Sequence, residues 1–307
     1  MRVFVTGASG WIGSAVVPEL VKAGHEVTGL ARSEASAEVV AAAGARVLRG
    51  TMDDLDVLRD AAAASDGVIH LAFKHDIAFT GNFREAAGSE RRAVEAFAGA
   101  LAGSGRPLVV ASGLGGLTPG RVVTEQDGHE GGPAPTDVEG PAARLATAEL
   151  VLSLASQGIR SSIVRLCPTV HGEGDKGFMA RLAGIAREKG VAGYLGDGAN
   201  RWPAVHRLDA ANLFRLALEK APAGTTLHAV GDEGVPIRSL AEVMGEQLGV
   251  PVKAIEADDA AGHFGWLAGL LGLDIPASAA ATRELLGWQP VRPGLLADLG
   301  EGHYFRR

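Results

Sequence analysis

The chain has 307 residues, 47% of them hydrophobic and 21% charged, with a formal net charge of -7. That length suffices for one large domain or two closely joined ones, while the acidic balance and the lack of any Lys/Arg cluster speak against nucleic acid as a partner. No run approaches the ~18 uncharged apolar residues of a membrane span, and the single cysteine, Cys167, cannot form an internal disulfide.

From the start, MRVFVTGASG runs directly into a strand-like segment with no signal-peptide pattern, which together with the lone cysteine suggests a cytoplasmic setting. Strands are expected at residues 2–5, 26–30, 46–48, 67–70, 107–111 and 162–165. Helices are expected between them at 12–23, 35–43, 56–64, 85–102 and 142–157, the first weakened by Pro18. Beyond residue 166 the regularity drops. A helix is expected at 209–220, a strand at 225–230 and a helix at 237–248, and the tail RELLGWQPVRPGLLADLG reads as helix, break and helix. Strand–helix alternation with β-branched strand cores predicts an α/β fold, a Rossmann-type doubly wound parallel sheet, with a smaller interleaved C-terminal substrate region. The expected division is 1–166 plus about 203–230 for nucleotide binding, and about 167–202 plus 231–307 for substrate.

The first turn carries the strongest motif. In VFVTGASGWIGSAV, Gly7, Gly10 and Gly13 lie in a G-x-x-G-x-x-G frame between strand and helix. A strand turning sharply into a helix needs a residue tolerant of positive φ, and a diphosphate approaching the backbone needs positions without a Cβ. The helix N-terminus then offers N–H groups and partial positive charge to the anion. Ser9, Trp11 and Ile12 complete this cofactor-binding set. At the end of the second strand, TGLARSEAS offers no acid for ribose hydroxyls and instead presents Arg32 and Ser33. A fork-shaped cation there suits a 2′-phosphate, so NADP(H) is expected over NAD(H).

With these segments in hand, the chain resembles the short-chain dehydrogenase/reductase superfamily in its extended, epimerase-like form. The matching pieces run almost end to end: TGASGWIG, GTMDDLDVLRDA, VIHLA, VVASG, RLCPTVHGEGD, WPAVHRLDAANLFRLALE and LLGWQP. The resemblance implies that Thr51 and Met52 approach the adenine, although an Asp is usual where Thr51 stands. It also implies that Leu71, Ala72 and Phe73 line the cofactor channel and that Pro168 and Thr169 lie against the nicotinamide. Cys167, beside them, reads as a small buried apolar residue. In the family a Tyr, with a Lys four residues later, protonates the substrate, and a Ser after the fifth strand binds its oxygen. Ser112 matches that Ser. The chain has two tyrosines, Tyr194 and Tyr304, neither followed four residues on by lysine, and no lysine lies between Lys74 and Lys176.

Arg144 stands near the lysine's place, able to hold a ribose or polarise an oxygen but poor at giving up a proton. His171, in TVHG, has an intrinsic pKa suited to proton transfer. Lys74 and His75, past the fourth strand, and Phe178, Arg201 and Trp202, past the sixth, are the candidate substrate contacts. His206 and Asp209 read as structural. No metal-ligand spacing is evident, so no metal is expected. The leading function is NADPH-dependent reduction of a small C=O or C=N substrate by hydride transfer. Two alternatives are a catalytically weak NAD(P)H-binding sensor and a sugar-nucleotide epimerase/dehydratase-like enzyme. By analogy with relatives, the helices at 85–102 and 142–157 could pair two copies into a homodimer.

Overall fold

The computed structural model describes residues 1–78, 81–115, 117, 119–128 and 141–306. In chain order the first half alternates β1 (Arg2–Thr6), α1 (Gly13–Lys22), β2 (Glu26–Ala31), α2 (Glu34–Ala42), β3 (Arg46–Arg49), α3 (Leu55–Ala63) and β4 (Gly67–His70). A short α4 (His75–Ala78) and a long α5 (Phe83–Leu101) lead to β5 (Pro107–Gly113), then α6 (Pro141–Ser153) and β6 (Arg160–Leu166). Residues 139 and 140, which precede the helix expected at 142–157, lie outside the described residues.

Alternation along each strand builds two cores, one on each face. Val3 and Val5 of β1 pack into one cluster with α1, α2 and later helices, while Phe4 packs into the other with α3, α5 and α6. Successive side chains of a strand point to opposite faces, so strands that are apolar throughout need helices on both sides. Pro18 sits inside α1 on its exposed side, and the helix runs through it despite the lost backbone hydrogen bond.

After β6 come β7 (Thr169–His171), α7 (Phe178–Lys189), β8 (Ala192–Leu195), β9 (Arg201–His206), α8 (Arg207–Lys220), β10 (Thr225–Ala229), β11 (Asp232–Pro236), α9 (Ile237–Leu248) and β12 (Val252–Ile255). The main sheet has seven strands in the order β10-β6-β5-β4-β1-β2-β3, all parallel. This is the Rossmann-type doubly wound architecture. The order reverses beside β1, and ligands of such sheets bind outside the carboxyl ends of the strands at that point.

Five short strands, β7, β8, β9, β11 and β12, were not expected. They form a three-stranded sheet β11-β9-β7 and a two-stranded pair β12-β8, packed with α7 and α9 around a third core that includes Trp202, Met179 and Phe264. The tail folds back as expected, with helices at Ala280–Leu286 and Leu295–Gly300. Between them Trp288 is fully buried and donates from Nε1 to the Asp209 carbonyl at 3.1 Å. The Asp209 carboxylate accepts from the amides of Val291 and Arg292, and His206 caps α8 by accepting from Leu208 N–H. Both are structural, as expected. Cys167 is buried and its Sγ contacts the Ala229 carbonyl at 3.0 Å. Burial pushes its thiol well up, away from the thiolate a nucleophile needs. Among the described residues, no helix is long and apolar enough to cross a membrane.

Candidate coenzyme and active site

The glycine turn is a close-fitting junction. Gly7 adopts φ +66°, and a Cβ there would lie 2.8 Å from the Ala72 nitrogen. A Cβ on Gly13 would lie 2.0 Å from the Gly7 oxygen. Gly10 N–H closes the turn onto that same oxygen at 2.9 Å, and α1 begins at Gly13 with no side-chain cap. Ser14 N–H bonds the Gly10 carbonyl and the Ala15 and Val16 amides bond that of Ile12, so the amides at the open end of the turn are those of Trp11, Ile12 and Gly13. This is a cradle that Cβ atoms would fill, opening on a helix N-terminus.

Two contacts bring the other candidate segments to this cradle. Leu71 N–H donates to the Thr6 carbonyl (3.2 Å) and Ala72 N–H to Thr6 Oγ1 (3.4 Å), fixing Leu71, Ala72 and Phe73 past β4 beside the turn. Trp11 donates from Nε1 to the Val170 carbonyl at 2.8 Å, joining the turn to β7 just after Pro168 and Thr169. The Arg207 guanidinium stacks on the Trp11 ring at 4.1 Å. At the ends of β5 and β7, Ser112 Oγ and Thr169 Oγ1 are buried with no hydrogen-bond partner among the described residues. Buried hydroxyls are nearly always satisfied, so two orphans beside an anion cradle fit a ligand carrying both phosphate and polar ring groups, as a nicotinamide dinucleotide does.

At the far end of the cradle, Arg32 is 72% exposed and 3.8 Å from Asp76. Ser33 starts α2, accepting from Ser36 N–H in a capping box. Arg49, at the end of β3, pairs with Glu34. Thr51 donates from N–H and Oγ1 to Asp54 Oδ2 (2.7 and 2.9 Å), so the carboxylate organising this turn comes three residues after the usual place. Met52 is buried beneath it in the core.

Arg144, on α6, reaches back to the sheet. Its Nε and Nη2 donate to Glu90 of α5 (3.3 and 2.8 Å), and Nη2 also donates to the carbonyl of Ala111, the residue before Ser112. Phe73 lies under the guanidinium, 4.1 Å from Cζ to ring centroid. The arginine therefore sits over the ends of β4 and β5. Sequence reading did not find Glu90, whose partner lies 54 residues away. Its one signal is a carboxylate on the apolar stripe of α5.

Several expected contacts are corrected. Lys74 pairs its Nζ with Asp53 Oδ2 at 2.6 Å and holds that carboxyl below the usual range, so it braces the Thr51–Asp54 turn. His75 is exposed at the start of α4, its ring 4.9 Å from that of Phe73. His171 is wholly buried, with Nδ1 2.9 Å from Asp298 Oδ2. It lacks access to a substrate and is no catalytic acid. Burial alone would push the Asp298 carboxyl up, but hydrogen bonds from His171 and His303 outweigh it and hold the group low. Arg201 is clamped by Asp274 through Nε and Nη2 (3.0 and 2.9 Å), and Trp202 is buried with Nε1 on the Leu273 carbonyl. Trp202 is therefore a core residue and not a substrate contact, while the Arg201 guanidinium is engaged by Asp274 with its side chain 40% exposed. Phe178 is half-buried between the rings of Trp202 and the exposed Trp266. Of the tyrosines, Tyr304 donates from its hydroxyl to Asp175 Oδ2 at 3.1 Å, and burial pushes its pKa up. Asp298, Glu301 and His303 also bring ligand-type atoms within 4.8 Å of one another, a grouping the sequence spacing did not suggest.

A parallel doubly wound sheet with a glycine cradle at its reversal point is the dinucleotide-binding form, and the family match and reductase relatives make the chain an NAD(P)-dependent oxidoreductase-type enzyme of the extended short-chain dehydrogenase/reductase form. Residues 3–230 match the NAD dependent epimerase/dehydratase family, and the chain belongs to that family. It is 45% identical over 305 residues to the uncharacterized protein C2A9.02 of Schizosaccharomyces pombe, covering 99% of this chain and 100% of that one. It is 28% identical to a 4-hydroxy-2-methyl-3-oxo-4-farnesyl-3,4-dihydroquinoline-1-oxide ketoreductase of Stigmatella aurantiaca, over 86% of this chain and 80% of the other. Its fold is similar to that of the dTDP-glucose 4,6-dehydratase DesIV of Streptomyces venezuelae, solved with NAD bound, with a TM-score of 0.75 at 21% identity over 99% and 96% of the two chains.

Proposed function

We propose that this enzyme is an NADPH-dependent reductase of a small substrate bearing C=O or C=N, with the imine form preferred. The observation that carries the reading is Ser112 Oγ, a buried hydroxyl with no partner among the described residues, next in sequence to the carbonyl that anchors Arg144. In this reading the turn at Gly10–Gly13 holds the diphosphate through the amides of Trp11, Ile12 and Gly13, Arg32 with Ser33 takes the 2′-phosphate, and Thr169 with Pro168 meets the nicotinamide. When bound, the coenzyme supplies the hydride. Ser112 orients the substrate heteroatom by donating to it, and Arg144 holds a fixed positive charge nearby without releasing a proton. The two tyrosines supply no Tyr-x-x-x-Lys pair, and the nearby Lys74 and His171 are committed to carboxylates. A protonated iminium brings its own proton, so hydride delivery to it needs no strong acid in the site. Residues 1–166 with about 203–230 would carry the coenzyme, and about 167–202 with 231–307 the substrate. Pairing of two copies through α5 and α6 belongs to the same proposal.

The same commitment of acidic groups favours a second reading, a coenzyme-binding sensor with little catalysis. NADPH consumption measured against matched panels of cyclic imines and ketones separates the two. Turnover of imines is expected. Turnover confined to ketones would overturn the imine preference, and NADPH that binds but is never oxidised would leave the sensor.

A further inference from the structure

Glu90 is 2% exposed, on the face of α5 that packs against the sheet. An ionised carboxylate in such a place is strongly disfavoured unless it is paired. Burial pushes its carboxyl up even with Arg144 pulling the other way. Buried ion pairs seldom add stability over apolar residues of similar volume, and their best-attested use is to fix one geometry. Here the geometry is well defined. Glu90 takes Nε and Nη2 of Arg144, the Ala111 carbonyl takes Nη2 again, and the Phe73 ring covers the planar face. Among the described residues Nη1 has no hydrogen-bond partner, and the Arg144 side chain keeps 20% of its surface exposed.

We propose that Glu90 is a positioning residue: it orients Arg144 so that the free edge of the guanidinium is presented, at the ends of β4 and β5, to the nicotinamide ribose of the coenzyme. This rests on the NADPH reading above and adds a residue to it. Glu90 touches neither coenzyme nor substrate and acts only through Arg144. The pair fills the place of the missing dyad's lysine, with a cation that keeps its charge at any working pH.

A double-substitution cycle tests it, with NADPH dissociation constants read from quenching of intrinsic tryptophan fluorescence and melting temperatures recorded without coenzyme. Arg144→Ala is expected to weaken NADPH binding about tenfold, and Glu90→Gln, nearly isosteric, about fivefold, within the range that contacting residues show. In the Arg144→Ala background, Glu90→Gln should add nothing. The proposal is overturned if Glu90→Gln lowers the melting temperature while leaving affinity unchanged, or if it weakens binding equally with and without Arg144. Should the Gln variant fail to fold, Glu90→Asp serves in its place. Its shorter carboxylate cannot keep both contacts, so wild-type affinity would overturn the proposal, and a loss seen only when Arg144 is present would support it. A wild-type protein that binds no NADPH removes the parent reading and this one together. A wild-type protein that binds, with unresponsive variants, removes this one alone.

Discussion

Gly13→Ala is expected to abolish measurable coenzyme binding, a loss of at least about 100-fold, and to lower the melting temperature by roughly 6–10 °C. The added methyl would lie 2.0 Å from the Gly7 oxygen and 2.8 Å from Ala8 Cα, both backbone atoms that no side-chain rotation can clear. Relief requires α1 to back away from the turn. Overpacking of this kind costs about 3 kcal/mol, which in a chain of this size shifts melting by a few degrees per kcal/mol. The amides that would grip a diphosphate are the ones displaced. Titration and calorimetry on the same sample read both effects, and a variant that melts low yet binds normally would show that the turn is not the cradle.

Ser112→Ala should act in the opposite sense on stability and far more strongly on turnover. Its hydroxyl is buried with no partner among the described residues, so none of their hydrogen bonds is lost when it goes. Removing a buried unsatisfied group is neutral or mildly favourable, and the melting temperature should hold or rise. NADPH affinity should change by no more than about threefold. Hydride transfer to the best imine should fall about 10²–10³-fold, the usual effect of deleting one donor aimed at developing charge. A variant that keeps its rate would remove Ser112 from the site.

The fold was legible because local signals agreed with one another. Alternating apolar strands, helices of ordinary length and glycines at 7, 10 and 13 all point to one doubly wound sheet, and the sheet order follows. The short strands β7, β8, β9, β11 and β12 were not legible, because three to six residues carry too little pattern to stand out from loop. The site was legible where a residue's role is set by its own backbone, as at Gly7 and Gly13. It was misread where the role depends on a distant partner. His171 looked like an acid until Asp298, 127 residues on, closed over its imidazole. Trp202 looked like a cleft residue until Leu273 covered it, and Arg201 looked free until Asp274 took its guanidinium. Lys74 looked free until Asp53 was found 2.6 Å from it. Arg144 was visible, but the carboxylate that orients it was not. Pairings across 54 or 127 residues leave no periodic trace in a single sequence.

The most direct test of the whole account is titration of the wild-type chain with NADPH and with NADH, followed by tryptophan fluorescence and melting temperature, with Arg32→Ala alongside. Trp11 sits in the cradle, so its emission should report occupancy. The account predicts saturable quenching and a raised melting temperature with NADPH, weaker effects with NADH, and loss of that preference in Arg32→Ala. Fluorescence and melting that stay unmoved by either dinucleotide would contradict it.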